Sequence, residues 1–281
     1  MHPALPLPDG RVLALGPAPL IMGVVNVTPD SFSEHGLHAD PQQAIDRGRR
    51  LAAEGAAIID IGGESTRPGH RDISAAEELE RVRPVIAALA SPNGPPLSID
   101  TWKAEVADAA LQAGASIVND VWGAQRDPAI ATVAARRGAP IILMHNRDEI
   151  DPGLDILAEV LRFLERSIAI ATAAGVPRNQ IVVDPGIGRF GKTTAQSLRL
   201  MRELPRLAEL GCPILLGASR KSVIGELTGQ AVPAERVAGS VAAHLWGASR
   251  GAAILRVHDV AEHVHALSVW NALANPPEQN P

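Results

Sequence analysis

The amino-acid sequence predicts an α/β protein, a single-domain (β/α)8 barrel of the TIM type. Three observations lead there. Eight short apolar runs alternate with eight amphipathic stretches, glycines punctuate the ends of those stretches, and polar residues recur at the carboxyl end of each run. The runs lie at 20-27, 57-63, 97-101, 116-121, 140-145, 181-184, 213-218 and 253-258. Each is nearly all Ile, Val, Leu or Ala, which marks strands buried on both faces of a parallel sheet; half-exposed antiparallel strands would alternate with polar residues. Between them, residues 41-54, 75-89, 103-113, 128-137, 155-174, 193-210, 235-249 and 260-274 place apolar side chains three and four apart, as amphipathic helices do. Gly55, Gly114, Gly138, Gly175, Gly211 and Gly251 each precede the next strand, where a left-handed helix terminus is wanted. An open doubly wound sheet is the structural alternative. Nothing divides residues 20-275; residues 1-19 read as an extension or short hairpin over the barrel floor, and 276-281 as a tail.

Composition narrows the function. The 281 residues carry 26 Lys and Arg against 31 Asp and Glu, a net charge of −5, which argues against nucleic acid or an anionic membrane as the main partner. No apolar run reaches spanning length, and the proline-containing first twenty residues make a poor signal peptide. A single cysteine, Cys212, beside an apolar stretch fits a reduced thiol in a cytoplasmic protein.

The polar residues at the run ends are Asn26, Asp60, Asp100, Asn119 with Asp120, His145, Asp184, Ser219 and His258. Any one alone is more readily explained as a helix cap or turn former. In a barrel, however, the strand tips converge on one face, and Arg67, Arg220, Lys221 and Arg256 fall at corresponding positions, so a polar pocket is the better reading. Asp100, Asn119 and Asp184 are acceptor-rich and suit the donor edge of a 2-aminopyrimidinone ring, with Lys221 donating to the ring. Asn26, Thr66, Arg67, Arg256 and His258 suit phosphate oxygens, and Asn26 offers an oxygen for Mg2+.

The segments NVTPDSFS (26-33), DIGGESTRPG (60-69), SIDT (98-101), NDV (119-121), LMH (143-145), DPGIG (184-188), ASRKS (218-222) and RVHDV (256-260) resemble the dihydropteroate synthases of the pterin-binding enzyme family. The likeness runs in order from about residue 20 to 274. It implies a transferase that joins (7,8-dihydropterin-6-yl)methyl diphosphate to 4-aminobenzoate with Mg2+, by ionising substitution, in the route to folate. Carried over by position, it makes Asp100, Asn119, Met144, Asp184, Phe190 and Lys221 pterin contacts. Asn26, Thr66, Arg67, Arg256 and His258 would hold the diphosphate, and Asn26 the metal. Phe32, Ser65, Thr66, Arg67, Pro68, Lys221 and Ser222 would surround 4-aminobenzoate, and Asn26, Glu34, Lys221, Arg256 and His258 would carry the chemistry. Segments 28-38 and 64-74 would act as lids, and the outer helices bearing Trp246 and Trp270 would form a homodimer.

Two places depart from the family pattern. Glu34 and His35 stand where Asp and Gly are usual, and Arg189 reads as an insertion in DPGIGRFGKT (184-193). The insertion creates a match to the phosphate-loop pattern from Gly186 to Thr193 and to a dinucleotide fingerprint at Gly186, Gly188 and Gly191. A phosphate-loop NTPase is therefore a second enzyme class, though it leaves the other strand-end motifs unexplained. A dinucleotide fold would want its glycines after a first strand, and five strands come before the one that leads into these. A methyltransferase module carrying methyltetrahydrofolate to a corrinoid protein and a non-catalytic paralogue complete the alternatives.

Overall fold

The computed structural model of the chain describes residues 4–28, 41–64 and 72–274. Eight parallel strands close into a barrel: β3 (Leu20–Asn26), β4 (Ile58–Gly62), β5 (Leu97–Asp100), β6 (Ile117–Asp120), β7 (Ile141–Met144), β8 (Ile181–Asp184), β9 (Ile214–Leu216) and β10 (Ala252–Val257). They pair in chain order, and β10 closes the ring by pairing with both β9 and β3. The expected strand positions hold, trimmed at their ends.

The helices α1 (Pro41–Ala53), α2 (Ala75–Leu89), α3 (Ala104–Gln112), α4 (Ala129–Arg137), α5 (Ile156–Ala173) and α6 (Thr194–Arg202) follow β3 to β8. All six glycines singled out above have positive φ. At Gly138 the left-handed cap turns its own N–H back to carbonyls of the last turn of α4. The single long helix expected at 193-210 is instead α6 followed by a 3-10 segment, Leu204–Leu210, because Pro205 cannot continue the α-helical hydrogen bonds. Between β9 and β10 the sequence reading had one helix. The structure has a short α7 (Ser222–Thr228), closed by Gly229 at φ 72°, before α8 (Val237–Ser249); α9 (Val260–Ala274) follows β10.

Side chains alternate along each strand, and the alternation divides the apolar residues into two clusters. Outward positions such as Ile61, Ile99, Val118, Leu143 and Val183 pack under the helices. Inward positions Met22, Ile58, Ile117, Ile142, Val182, Leu215 and Ile254 meet at the amino-terminal end of the barrel. There they contact Leu5, Leu7 and Leu15 of an antiparallel hairpin, β1 (Ala4–Pro6) with β2 (Val12–Ala14), so the barrel floor is plugged from outside. Each such leucine contributes about 1.5–3 kcal/mol by leaving water. Small residues let the helices lie close: a Cβ at Gly247 of α8 would stand 2.2 Å from Leu216 of β9.

Candidate active site

Two residues beyond four of the seven apolar floor positions the same inward face turns polar. Asp60 follows Ile58, Asn119 follows Ile117, Asp184 follows Val182 and Arg256 follows Ile254, while Asp100 and Met144 occupy the same level on β5 and β7. Arg256 is the hub. Its Nε donates to Asp60 Oδ2 and its Nη2 to Asp100 Oδ2, each at 2.6 Å. Asn119 Nδ2 donates to the same Asp60 oxygen at 3.1 Å, which leaves the amide oxygen of Asn119 as an acceptor. The second oxygens of both carboxylates, Asp60 Oδ1 and Asp100 Oδ1, are buried without a partner. A buried acceptor that lacks a donor is unfavourable, so the pair favours a ligand bringing N–H groups.

Burial pushes the Asp100 carboxyl up to about 7, with Arg256 opposing the shift and the neighbouring carboxylates Asp60 and Glu78 adding to it. Asp184 is pushed up to about 6 by burial, against the Gly186 N–H that its Oδ1 accepts at 2.7 Å and the nearby Lys221. Lys221 is itself lowered to about 8 by burial and by Arg256, and its Nζ lies 4.2 Å from the centre of the Phe190 ring. The lysine, the aromatic ring and Asp184 thus stand together on the side opposite Asp60. Met144, buried, pairs in register with Asp184.

His258 belongs to the β10 tip. Ser219 Oγ accepts its backbone N–H at 3.1 Å and lies 3.0 Å from its Nδ1. Burial and the surrounding cations Arg256, Arg220, Lys221 and Arg47 hold the imidazole neutral. Arg220, in the left-handed region at φ 57°, pairs with Asp259 through two nitrogens rather than pointing free into the pocket. Asn26 ends β3, half-buried, beside Gly62 in register. Ser222 begins α7, also half-buried. The remaining expected contacts, Phe32, Glu34, Ser65, Thr66, Arg67 and Pro68, lie outside the described residues, as does His35.

Two polar tips do not join the pocket. Asp120 points away from Asn119 and accepts N–H bonds from Trp122 at 2.8 Å and Ala124 at 2.6 Å, the turn-forming role that a lone strand-end aspartate suggests. His145 is fully buried, 4.8 Å edge-on from Phe163 of α5, and burial lowers it to about 2. Two other residues matter more than sequence reasoning allowed. Asp60, noted only as a tip, anchors both Arg256 and Asn119; the strand period from Ile58 was the available signal. Lys192, part of the false phosphate-loop pattern, is 2% exposed and donates to the carbonyls of Phe190 at 2.9 Å and His145 at 3.4 Å. It fastens the loop that carries Phe190 instead of reaching for phosphate. The following helix is closed at its start by a reciprocal Thr193–Gln196 capping box, which occupies the amides of Thr193 and Gln196. Arg189 is exposed and pairs with Glu226 at 3.6 Å.

Comparison with known proteins gives the family. The sequence model of the family described as pterin binding enzyme matches residues 22–258. Dihydropteroate synthase of Bacillus subtilis is 46% identical over 256 residues, covering 91% of this chain and 89% of its own. That of Synechocystis is 46% identical, covering 95% of both. Among solved structures, Xanthomonas albilineans dihydropteroate synthase with 4-aminobenzoic acid superposes with a TM-score of 0.93 at 50% identity, over 99% of this chain and 100% of that one. The same enzyme in complex with 7,8-dihydropteroate gives 0.88 at 49% identity, over 98% and 100%. Yersinia pestis dihydropteroate synthase in a sulfonamide complex gives 0.88 at 41%, over 96% and 98%. With a closed barrel, an acceptor-lined pocket at its carboxyl end and these relatives along its whole length, the chain belongs to the pterin-binding enzyme family, among the dihydropteroate synthases.

Proposed function

We propose that the pocket condenses (7,8-dihydropterin-6-yl)methyl diphosphate with 4-aminobenzoate, yielding 7,8-dihydropteroate and diphosphate, by ionising substitution at the pterin methylene. The observation that carries this reading is the pair of partnerless buried oxygens, Asp60 Oδ1 and Asp100 Oδ1, on carboxylates already aligned by Arg256. The 2-amino and ring N–H groups of a pterin are donors of the right kind for such an edge. Asp100, Asn119 and Asp184 orient the ring, Met144 packs on its face, and Lys221 beside Phe190 donates to the ring's oxygen or nitrogen. As the bond from methylene to diphosphate oxygen breaks, the diphosphate keeps the electron pair and positive charge spreads into the ring, where the carboxylates stabilise it. The amine of 4-aminobenzoate then bonds to the methylene and loses a proton. No protein nucleophile is needed; alignment and exclusion of water do the remainder.

Arg256 and His258 serve the diphosphate end, and Ser222 the 4-aminobenzoate end. Phe32, Glu34, Ser65, Thr66, Arg67 and Pro68 complete the site in this reading. Among the described residues no group of three His, Cys, Asp or Glu is placed to hold a metal. The hard amide oxygen of Asn26 suits Mg2+ as one ligand shared with the substrate diphosphate, which is how this ion is commonly held. When bound, it neutralises charge on the leaving group.

Incubation with both substrates and Mg2+ should form dihydropteroate and diphosphate in equal amounts, reduced about 10²–10³-fold in Asp100→Asn. Pterin binding without product would instead favour a pterin-carrying module or an inactive paralogue.

We infer in addition a homodimer. An apolar groove of about 350 Å3 lies between α6, α7 and α8, lined by Met201, Val223, Ile224, Leu227 and Trp246 among others. Leu227 is 62% exposed and Trp246 42% exposed at its edge. An apolar groove with exposed Leu227 and Trp246 at its edge supports a contact between two copies of the chain. Light scattering should give a dimer mass, and Leu227→Asp should give a monomer. The buried thiol of Cys212, which burial pushes up, is compatible with a reducing, cytoplasmic setting. No helix among the described residues is long and apolar enough to cross a membrane.

A further inference from the structure

Two histidines outside the pocket form a continuous hydrogen-bond chain with only one possible direction. His244 of α8 and His263 of α9 are 0% and 2% exposed. The Ala218 amide lies 3.0 Å from His244 Nε2; His244 Nδ1 lies 2.8 Å from His263 Nε2; and His263 Nδ1 lies 2.5 Å from the Asp259 carbonyl oxygen. The Ala218 amide can only donate, so His244 Nε2 must accept and its proton must sit on Nδ1. That proton faces His263 Nε2, which must accept in turn, leaving the His263 proton on Nδ1, where the Asp259 carbonyl can only accept. Both rings are therefore neutral Nδ1–H tautomers, the less common form of free histidine. An added proton on either ring would set two N–H groups against each other.

The chain ends at two loops of the pocket, one leading to Lys221 and Ser222 on the pterin and 4-aminobenzoate side and one bearing His258 at the diphosphate end. Ala218 leads directly into Ser219, Arg220 and Lys221, and Asp259 follows His258. Beside the pocket the same loops are also joined by Ser219 to His258 and by Arg220 to Asp259. The groups facing the pair are few. They are the Ala218 amide and Leu216 backbone on β9 and its following loop, Ser240 backbone on α8, and Asp259 and Glu262 on the α9 side. Arg220 and Arg47 stand near Asp259 on its far side.

We propose that His244 and His263 are positioning residues: as one neutral relay they hold the loop bearing Lys221 and the loop bearing His258 at the spacing the substrate diphosphate requires. The proposal rests on the reading of His258 as a diphosphate contact.

Glutamine and asparagine dissect the chain, because a glutamine amide overlays histidine Nε2 and an asparagine amide overlays Nδ1. His244→Gln keeps an acceptor for Ala218 but loses the link to His263. His263→Asn keeps a donor for Asp259 but loses the link to His244. The affinity for inorganic pyrophosphate with Mg2+, the KM for the pterin diphosphate and the ring nitrogen shifts would be measured below the melting temperature of every variant.

The relay predicts two Nδ1–H tautomers in the unaltered chain and, in each variant, about tenfold weaker pyrophosphate binding with a matching rise in KM, the equivalent of one hydrogen bond. The double variant should lose no more than either single one, since a chain cut once is already cut. An Nε2–H tautomer on either ring, singles whose effects multiply, or a lowered melting temperature with unchanged pyrophosphate affinity would each overturn it. An unaltered chain that neither binds pyrophosphate nor turns over would overturn the diphosphate reading itself, while the tautomers would still report whether the chain of bonds exists.

Discussion

The two ends of the barrel interior are lined by the same strands, two residues apart, and could hardly be more different. At the amino-terminal end, Ile58, Ile117, Ile142, Val182 and Ile254 close on one another and on the leucines of the β1–β2 hairpin. At the carboxyl end, Asp60, Asn119, Met144, Asp184 and Arg256 follow them on the same face. The floor gains stability by excluding water, with the partnerless Ser98 hydroxyl, in register with Ile117, as its one polar exception among the described residues. The ceiling keeps buried carboxylates with free oxygens and perturbed protonation, a state that stabilises a donor-rich ligand more than it stabilises the fold.

If that division is right, the ends should separate under mutation. The largest effect belongs to Arg256→Leu. It removes the partner of two buried carboxylates, which should lower stability by about 3–5 kcal/mol and abolish turnover together. A variant that melts near the parent would mean that the Asp100 carboxyl is already protonated. Next comes Ile142→Ala in the floor, with a loss of about 2–4 kcal/mol for the cavity and the lost burial. Its kcat at a temperature where it remains folded should match the parent; a drop in kcat beyond the unfolded fraction would show the floor to be coupled to the chemistry.

The smallest effect is the most diagnostic. The ligand-free carboxyls of Asp100 and Asp184 titrate near 7 and 6, above their ordinary 3.8, so between about pH 4 and 7 the fold holds protons that the unfolded chain has released. The ligand-free protein therefore loses stability from these two groups as pH rises through that window, while buried His145, held near 2, opposes the trend below its ordinary 6.5. Donors from a pterin favour the ionised carboxylates, so binding should release protons and tighten as pH rises from about 5.5 to 7.5. Titration calorimetry at pH 6 in two buffers of different ionisation heat would read that release directly. Pterin binding with no proton release would place the ring elsewhere.

Much of this was legible in the chain. Apolar runs with polar last residues, and glycines where helices must turn back, are local signals that survive without knowledge of neighbours, and all six cap glycines have the positive φ they imply. The pocket was less legible in detail. Neighbours such as Asn119 and Asp120 look alike in sequence, yet strand alternation sends one into the barrel toward Asp60 and the other outward to hold a turn. His145 is buried under α5, although it ends a run as Asp184 does. The Lys192 motif was read for its pattern, while burial turned its amine to two backbone carbonyls.

The sequence by itself determined the count of strands, the helix boundaries marked by glycine and the chemical character of the strand tips, because those depend on residues close along the chain. Only the tertiary structure decided that Arg256 joins Asp60 to Asp100, partners 196 and 156 residues away, and that His244 meets His263 across two helices. Contacts of that kind arise when the ring of strands closes, since closure sets which inward faces share a level and which helices lie side by side.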